Sequence, residues 1–492
     1  MLTPAEEMGL SGLSLASRVR KAFYQIPEAE VVDMMRRIHE ESTRRHLIYL
    51  RDGELDTIHV LPCPITVLPD QLSYVHYVSL TIQNALKRLP ELYMQDFAVR
   101  EVLRLTPEED EWLWQCWGPS QREHNPIFGR LDAMVDFISP MWKDTLRYLE
   151  PNLSGIGGLH LTPTCERIIA DLVLPALRAR DDRLHLHVGT DIRQLLMQEV
   201  LDHLEALGRG PETTPERKER NVCFVEPKYA GSGPDEQQAL AEYFHDRFGT
   251  KVMHADPSEL TLSGNEVLYN GDPVDLAYRD YPVADLIALE HTGVDVDPMR
   301  LLFRQNRIIS SIAAELDQKS CWEVLTDPQF ARYFSPDERH VFRRHVLWTR
   351  IVSDRKTQLP DGQTGGLLEF VRDGHERLVL KPNRSFGGDS VYIGHILAQE
   401  EWDAVVEKAL ADRERRVVQK LASIPVSEFP VLAADGTVHT EPFYTVMGFA
   451  PSKYGLSVLG RASQKQVVNV AQRGGMCVVM MGRPPGRLAG PA

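Results

Sequence analysis

Disulfide and zinc chemistry have little to work with in this chain. Its 492 residues hold six cysteines, at 63, 116, 165, 223, 321 and 477, and no two form a C-x-x-C pair. A zinc cluster needs ligands at close spacing, and a disulfide scaffold needs density. The expected state is six reduced, buried thiols in a cytoplasmic protein. Long apolar runs are also missing. The most apolar stretch near the end, MCVVMMG at 476–482, is far shorter than the ~20 residues a membrane span requires. The start, MLTPAEEMGL, lacks the basic and apolar regions of a secretion signal, so none is expected. Nor is there an excess of positive charge. Lys plus Arg total 55 against 70 for Asp plus Glu, a formal net charge of −15. Nucleic-acid affinity rests largely on cations that neutralise phosphates, so a general polyanion binder is not expected. No Walker A loop, Rossmann fingerprint, internal repeat or low-complexity block is found.

What remains is ordinary globular material. Hydrophobic residues make up 43% and charged residues 25%, which excludes wholesale disorder and gives two to four domains' worth of chain. Residues 1–50 read as helices, 47–62 as two strand-like runs broken at Asp52-Gly53, and 70–105 as helical with a break near Leu89-Pro90. From about 160 to 300 helices alternate with strands, among them LHLHV (184–188), NVCFVEP and KVMHA. That alternation argues for an α/β unit with a largely parallel sheet. Residues 301–350 read as helical, and QLPDGQTGG (358–366) as a mobile loop. Strands are expected at 377–383, 415–421, TVHTEPFYTVMGF and VVNVA, and a frayed tail at the end.

Two segments carry chemistry. In LVLKPNRSFGGDSVYIG (378–394) a strand delivers Lys381 beside a turn holding Gly387 and Gly388. Glycines let backbone N–H groups approach phosphate oxygens, and an ammonium neutralises them; a plain strand and glycine hairpin is the alternative. In residues 129–158, Asp132 lies on one strand-like run, and Glu150 and Asn152 lie two apart on the next, hence on one face. Carboxylates with an amide oxygen suit Mg2+; solvent-facing polar residues beside a turn are the alternative. His185 and His187 alternate on a strand expected to be buried, a metal pair or, more simply, structure. Cys321 and Cys477 fall near these segments, but no histidine accompanies them as a nucleophile requires.

Together these segments resemble the ATP-grasp superfamily, in which a strand lysine and glycine loop accompany R-x-D and E-x-N metal motifs. Here the R-x-D (Arg130, Asp132) and E-x-N (Glu150, Asn152) come before the lysine strand. That order resembles the circularly permuted branch, which includes glutathionylspermidine-synthetase-like proteins. PVDLAYRDY, the stretch holding Lys319, HVLWTRIVSD, RRVVQKL and GLSVLGRASQKQVVNVAQRGG match its further segments in order.

The resemblance implies an α/β (α+β), circularly permuted ATP-grasp fold with an inserted Rossmann-like α/β domain. Its implied parts are 1–160 (metal strands), 161–300 (α/β domain), 301–482 (nucleotide-binding part) and a 483–492 tail. It implies ATP and Mg2+ as cofactors. Asp132, Glu150 and Asn152 would hold metal, with Asp136 as the alternative to Asp132. Lys319, Lys381, Gly387, Gly388 and Gln419 would bind nucleotide, Gln419 at the adenine-contacting site. Arg130 and Arg461 would be catalytic, while the roles of Arg279, Asn469 and the divergent ending stay open. The implied activity is a carboxylate–amine ligase acting through an acyl phosphate on small molecules, with neither nucleic acid nor membrane as partner and a homodimer left open. A phosphotransferase without ligation, or a non-catalytic nucleotide-binding protein, are the alternatives.

Overall fold

A computed structural model describes residues 4–51, 53–210, 220–229, 233–234, 236–384, 390–412, 414–433, 435–468 and 474–482. Gly387, Gly388 and Asn469 lie outside the described residues.

The chain opens with two helices, Pro4–Tyr24 and Glu28–Arg44. In the second, Glu28 and Glu30 open the first turn and Arg44 closes the last, matching the helix dipole. Its buried Val31, Met34 and Ile38 recur at helical spacing and face the largest sheet. That sheet has eight strands. Its main path runs Val60–Val67, Gly475–Gly482, Gly455–Ser463, Val438–Ser452, Arg130–Met134, Arg147–Asn152. Only the first pair is parallel. MCVVMMG therefore becomes an interior strand, nearly every residue of it buried. Its residues pack on apolar clusters from both faces, which explains a run of Val and Met with no alternation.

A second, four-stranded sheet is wholly parallel: Ile308–Ile309, Leu276–Arg279, Asn221–Val225, Lys251–Ala255. Helix Gln237–Phe248 connects its last two strands, the βαβ pattern that the helix–strand alternation led one to expect. The third sheet is antiparallel: Thr349–Ile351, Arg416–Lys420, Leu378–Pro382, Tyr392–Ile393. It packs under helix Gln399–Ala411 around buried Trp402.

Several local expectations need correction. LHLHV contributes only the two-residue strand Leu186–His187, and His185 and His187 are exposed. The segment touches the sheet solely through Met481↔His187 and Gly482↔Leu186, so the leucines turn inward and the histidines outward. Residues 358–366 are no loop throughout: Lys356–Gln358 pairs with Thr364–Gly366, and Gly362 supplies the left-handed turn conformation at φ +87°. The 301–350 segment is interrupted by the short strands Ile308–Ile309 and Thr349–Ile351. Of VVNVA, Val467 and Val468 are not in a strand and the rest lies outside the described residues. All six cysteines are free and buried. Burial pushes the Cys63 and Cys477 thiols up to about 12, which removes them as nucleophiles. Among the described residues no helix is long and apolar enough to cross a membrane.

Candidate active site

The site is built on the hairpin of Arg130–Met134 and Arg147–Asn152. Its antiparallel register sets Arg130 opposite Asn152 and Asp132 opposite Glu150. The twelve-residue connection between them, 135–146, carries the short helix Trp142–Thr145 without disturbing that register. One residue further the ladder slips, so that Ala133 faces Tyr148 and Leu149 is left unpaired. A bulge of this kind frees a carbonyl. The Leu149 carbonyl accepts from the Trp322 indole at 2.8 Å and from Gln419 Nε2 at 2.9 Å. The bulge thereby ties the carboxylate hairpin to the antiparallel sheet.

Asp132 is buried between two guanidinium groups. Arg130 Nε donates to Oδ1 at 2.9 Å, and Arg461 Nη2 lies 2.7 Å from Oδ2. Arg130 also donates to the Gly157 carbonyl at 3.0 Å. Its stem lies across Gly448, where an added Cβ would fall 2.4 Å from Arg130 Cδ. Only glycine leaves that space. Burial raises the Asp132 pKa, but Arg130 and Arg461 outweigh it and hold the carboxyl below its ordinary range. Glu150 behaves alike: burial raises it, and Lys319, then Lys381, pull it below the carboxylate range. Lys319 Nζ is 3.2 Å from Glu150 Oε2. Lys381 donates to Gln419 Oε1 at 2.9 Å, and burial lowers its pKa against the opposing pull of Glu150.

The two lysines come from distant segments and are held together by Asn383, buried just past Lys381. Its Oδ1 accepts from the Ser320 N–H at 2.8 Å, and its Nδ2 donates to Gln318 Oε1 at 2.9 Å and Ser320 Oγ at 3.1 Å. The Lys319 N–H in turn donates to the Asn383 carbonyl at 3.1 Å.

Asp132, Glu150, Lys319, Lys381, Gln419 and Arg461 all line one cleft of about 950 Å³. Its lining also includes the apolar Leu347, Val379, Ile393, Leu421 and Val446. Arg130 and Asn152 are not among the residues that line this cleft, and Asn152 Nδ2 is buried without a hydrogen-bond partner. Asp136 lines a different cavity, on the opposite side of the sheet, and its Oδ1 caps the Ile138 N–H. Between the two aspartates, it is Asp132 that faces the cleft. Arg279 is fully buried, 2.6 Å from Glu315 and bonded to the carbonyls of Ser310, Tyr281 and Ser311, a structural role with no ligand-facing donor. Sequence reasoning missed Asn383, Trp322, Thr349 and Gly448. For Gly448 a signal existed, a glycine inside a strand pattern.

No family model and no curated protein matches the chain. Among solved structures, an ATP-grasp RimK-domain protein from Sphaerobacter thermophilus aligns over 50% of this chain and 93% of its own, at 16% identity and TM-score 0.24. D-alanyl-alanine synthetase A from Vibrio cholerae O1 aligns over 49% and 88%, at 8% identity and TM-score 0.24. Both scores are too low to compare whole arrangements. A glutathione synthetase-like effector from Globodera pallida, in its apo form, is different in kind. It matches with TM-score 0.60 over 92% of this chain and 98% of its own, at 10% identity. The chain shares the fold of that effector. An identity this low speaks for the fold alone. The cleft lies between the antiparallel sheet that carries Lys381 and the large sheet that carries Asp132 and Arg461.

Proposed function

We propose that this protein is an ATP- and Mg2+-dependent carboxylate–amine ligase of circularly permuted ATP-grasp type, which joins two small molecules through an acyl phosphate. The observation that carries the reading is the cleft itself. Two lysines and an arginine converge there on two carboxylates, beside apolar side chains. The Globodera pallida neighbour, described as glutathione synthetase-like, is consistent with this reading.

The residues fit the implied groups. Asp132 and Glu150, the two carboxylates of the cleft, are hard oxygen donors of the kind Mg2+ takes and would hold it, with the amide oxygen of Asn152, two residues along the strand from Glu150, as the further donor the resemblance implies. When bound, the ion would supply charge neutralisation on the phosphate oxygens. Lys319 and Lys381 would do the same as point charges, and the apolar side chains would take the base. Arg461 keeps a buried Nε without a partner. A donor so placed stabilises an oxyanion with no reorganisation when charge develops.

In the reaction the substrate carboxylate oxygen takes the γ-phosphoryl group, releasing ADP. The amine nitrogen then attacks the acyl carbon, the C–O bond to phosphate breaks, and the amine gives up a proton. The chain acts by positioning and charge neutralisation, and no enzyme nucleophile is required. The test is ADP and phosphate release by the purified protein with ATP, Mg2+ and panels of acids and amines. ADP and free phosphate should appear only when acid and amine are both present. Glu150→Gln should lower turnover at least tenfold with its circular dichroism unchanged. Repeated turnover without amine, with a stable phosphate ester accumulating in excess of the protein, would instead mark a phosphotransferase.

A further inference from the structure

The resemblance assigns Gln419 to the base of the nucleotide, but its amide is already engaged inside the protein. It is almost fully buried, with 1% of its surface exposed. Nε2 donates to the Leu149 carbonyl and to Thr349 Oγ1, both at 2.9 Å, and Oε1 accepts from Lys381 Nζ at 2.9 Å. The polarity is fixed by the surroundings. Leu149 offers a carbonyl, which only accepts. Thr349 Oγ1 donates its own proton to the Leu347 carbonyl at 2.9 Å, so towards Gln419 it too can only accept. The nitrogen of the amide must face these two, which leaves the oxygen for the lysine. Strand register supports the same arrangement: Gln419 pairs with Thr349 on one side and Val379 on the other, so Lys381 reaches it diagonally from the adjacent strand.

We propose that Gln419 is a positioning residue for Lys381 and serves nucleotide binding through that ammonium rather than through the base. A lysine side chain carries large rotamer freedom, which binding would have to remove. Gln419 removes it beforehand and holds Nζ on the cleft wall. Through Leu149 the same amide fixes the lysine relative to the bulged strand that carries Glu150. The proposal rests on the reading of Lys381 as a phosphate ligand.

A double-mutant cycle tests it, with calorimetric titration of a non-hydrolysable ATP analogue. Gln419→Met keeps the volume and removes the acceptor. Gln419→Asn keeps the amide and withdraws it from Nζ. In the otherwise native protein each should weaken binding roughly tenfold, the scale of one hydrogen bond to a charged group. In a Lys381→Ala background the same changes should alter affinity less than twofold, because the group they position is gone. A direct base contact or a general packing role predicts the full loss in both backgrounds, and that result overturns the proposal. So does native affinity in both single variants. If Gln419→Met fails to fold, Gln419→Asn carries the cycle alone. Native protein that binds no nucleotide analogue would defeat the ligase reading itself, a result distinct from additive losses.

Discussion

At the residue scale, the charged groups fall into two kinds with opposite responses to pH. Asp132 and Glu150 are held below the ordinary carboxylate range. Their stabilising effect is present above the pKa of the unfolded chain and is lost as acid protonates the folded form. Asp280 is the reverse case. Burial first, then Glu226 and Glu236, push it up to about 8. An unfolded aspartate ionises near ~3.9. Across that window the folded chain keeps a proton that the unfolded chain has lost, so stability falls as pH rises and levels off above the folded value. Glu236, pushed up to about 7 by burial against four backbone N–H donors, acts in the same direction. Asp280→Asn should therefore reduce the drop in melting temperature between pH 5 and pH 8 by a few degrees, each kcal/mol shifting a chain this long by less than the ~2–4 °C it shifts a smaller domain. Thermal unfolding at both pH values checks this, and an unchanged drop would refute it.

At the scale of elements, the site depends on a few side chains that join strands from distant parts of the chain. Asn383 is the clearest. It makes three side-chain hydrogen bonds to the turn that presents Lys319. Asn383→Ala would strand the buried Ser320 N–H and part of the Gln318 amide. The expected loss is about 2–4 kcal/mol of stability, read as a lower urea midpoint, together with weaker binding of an ATP analogue. A midpoint equal to the native one would show that the tether is unimportant. Trp322 is the second such link, since its indole holds the bulged Leu149 carbonyl at 2.8 Å. Trp322→Phe keeps most of the packing and removes the donor. About 1 kcal/mol of destabilisation is expected, and less if Gln419 alone satisfies the carbonyl.

At the scale of the molecule, the large sheet is assembled from both ends of the chain. Gly475–Gly482 lies between Val60–Val67 and Gly455–Ser463, with Met480 fully buried. A chain that stops at residue 474 would expose the flanks of both neighbouring strands, Val60–Val67 and Gly455–Ser463, and the apolar cluster beneath them. It should lose cooperative unfolding altogether, seen as a flat calorimetric trace and rapid proteolysis. A sharp transition in that truncated chain would mean that this strand is dispensable.

Sequence alone determined the chemistry-bearing strands. Glu150 and Asn152 share a face because side chains alternate along any strand, and Lys381 follows a short apolar run that reads as a strand. These are local periodicities, fixed by backbone geometry wherever the segment sits. Tertiary structure decided everything that depends on a partner. Asp132 rather than Asp136 faces the cleft because register with Glu150 and Gly448 sets its side. Arg279 became a structural anchor because Glu315 and three carbonyls surround it. His185 and His187 turned outward because their strand meets the sheet at its margin. Gln419 was committed to Lys381 by a bulge in a different sheet, where a single unpaired residue, Leu149, turned its carbonyl out of the ladder. No spacing in the sequence encodes that slip, since it arises only when two strands of unequal length are forced into one sheet.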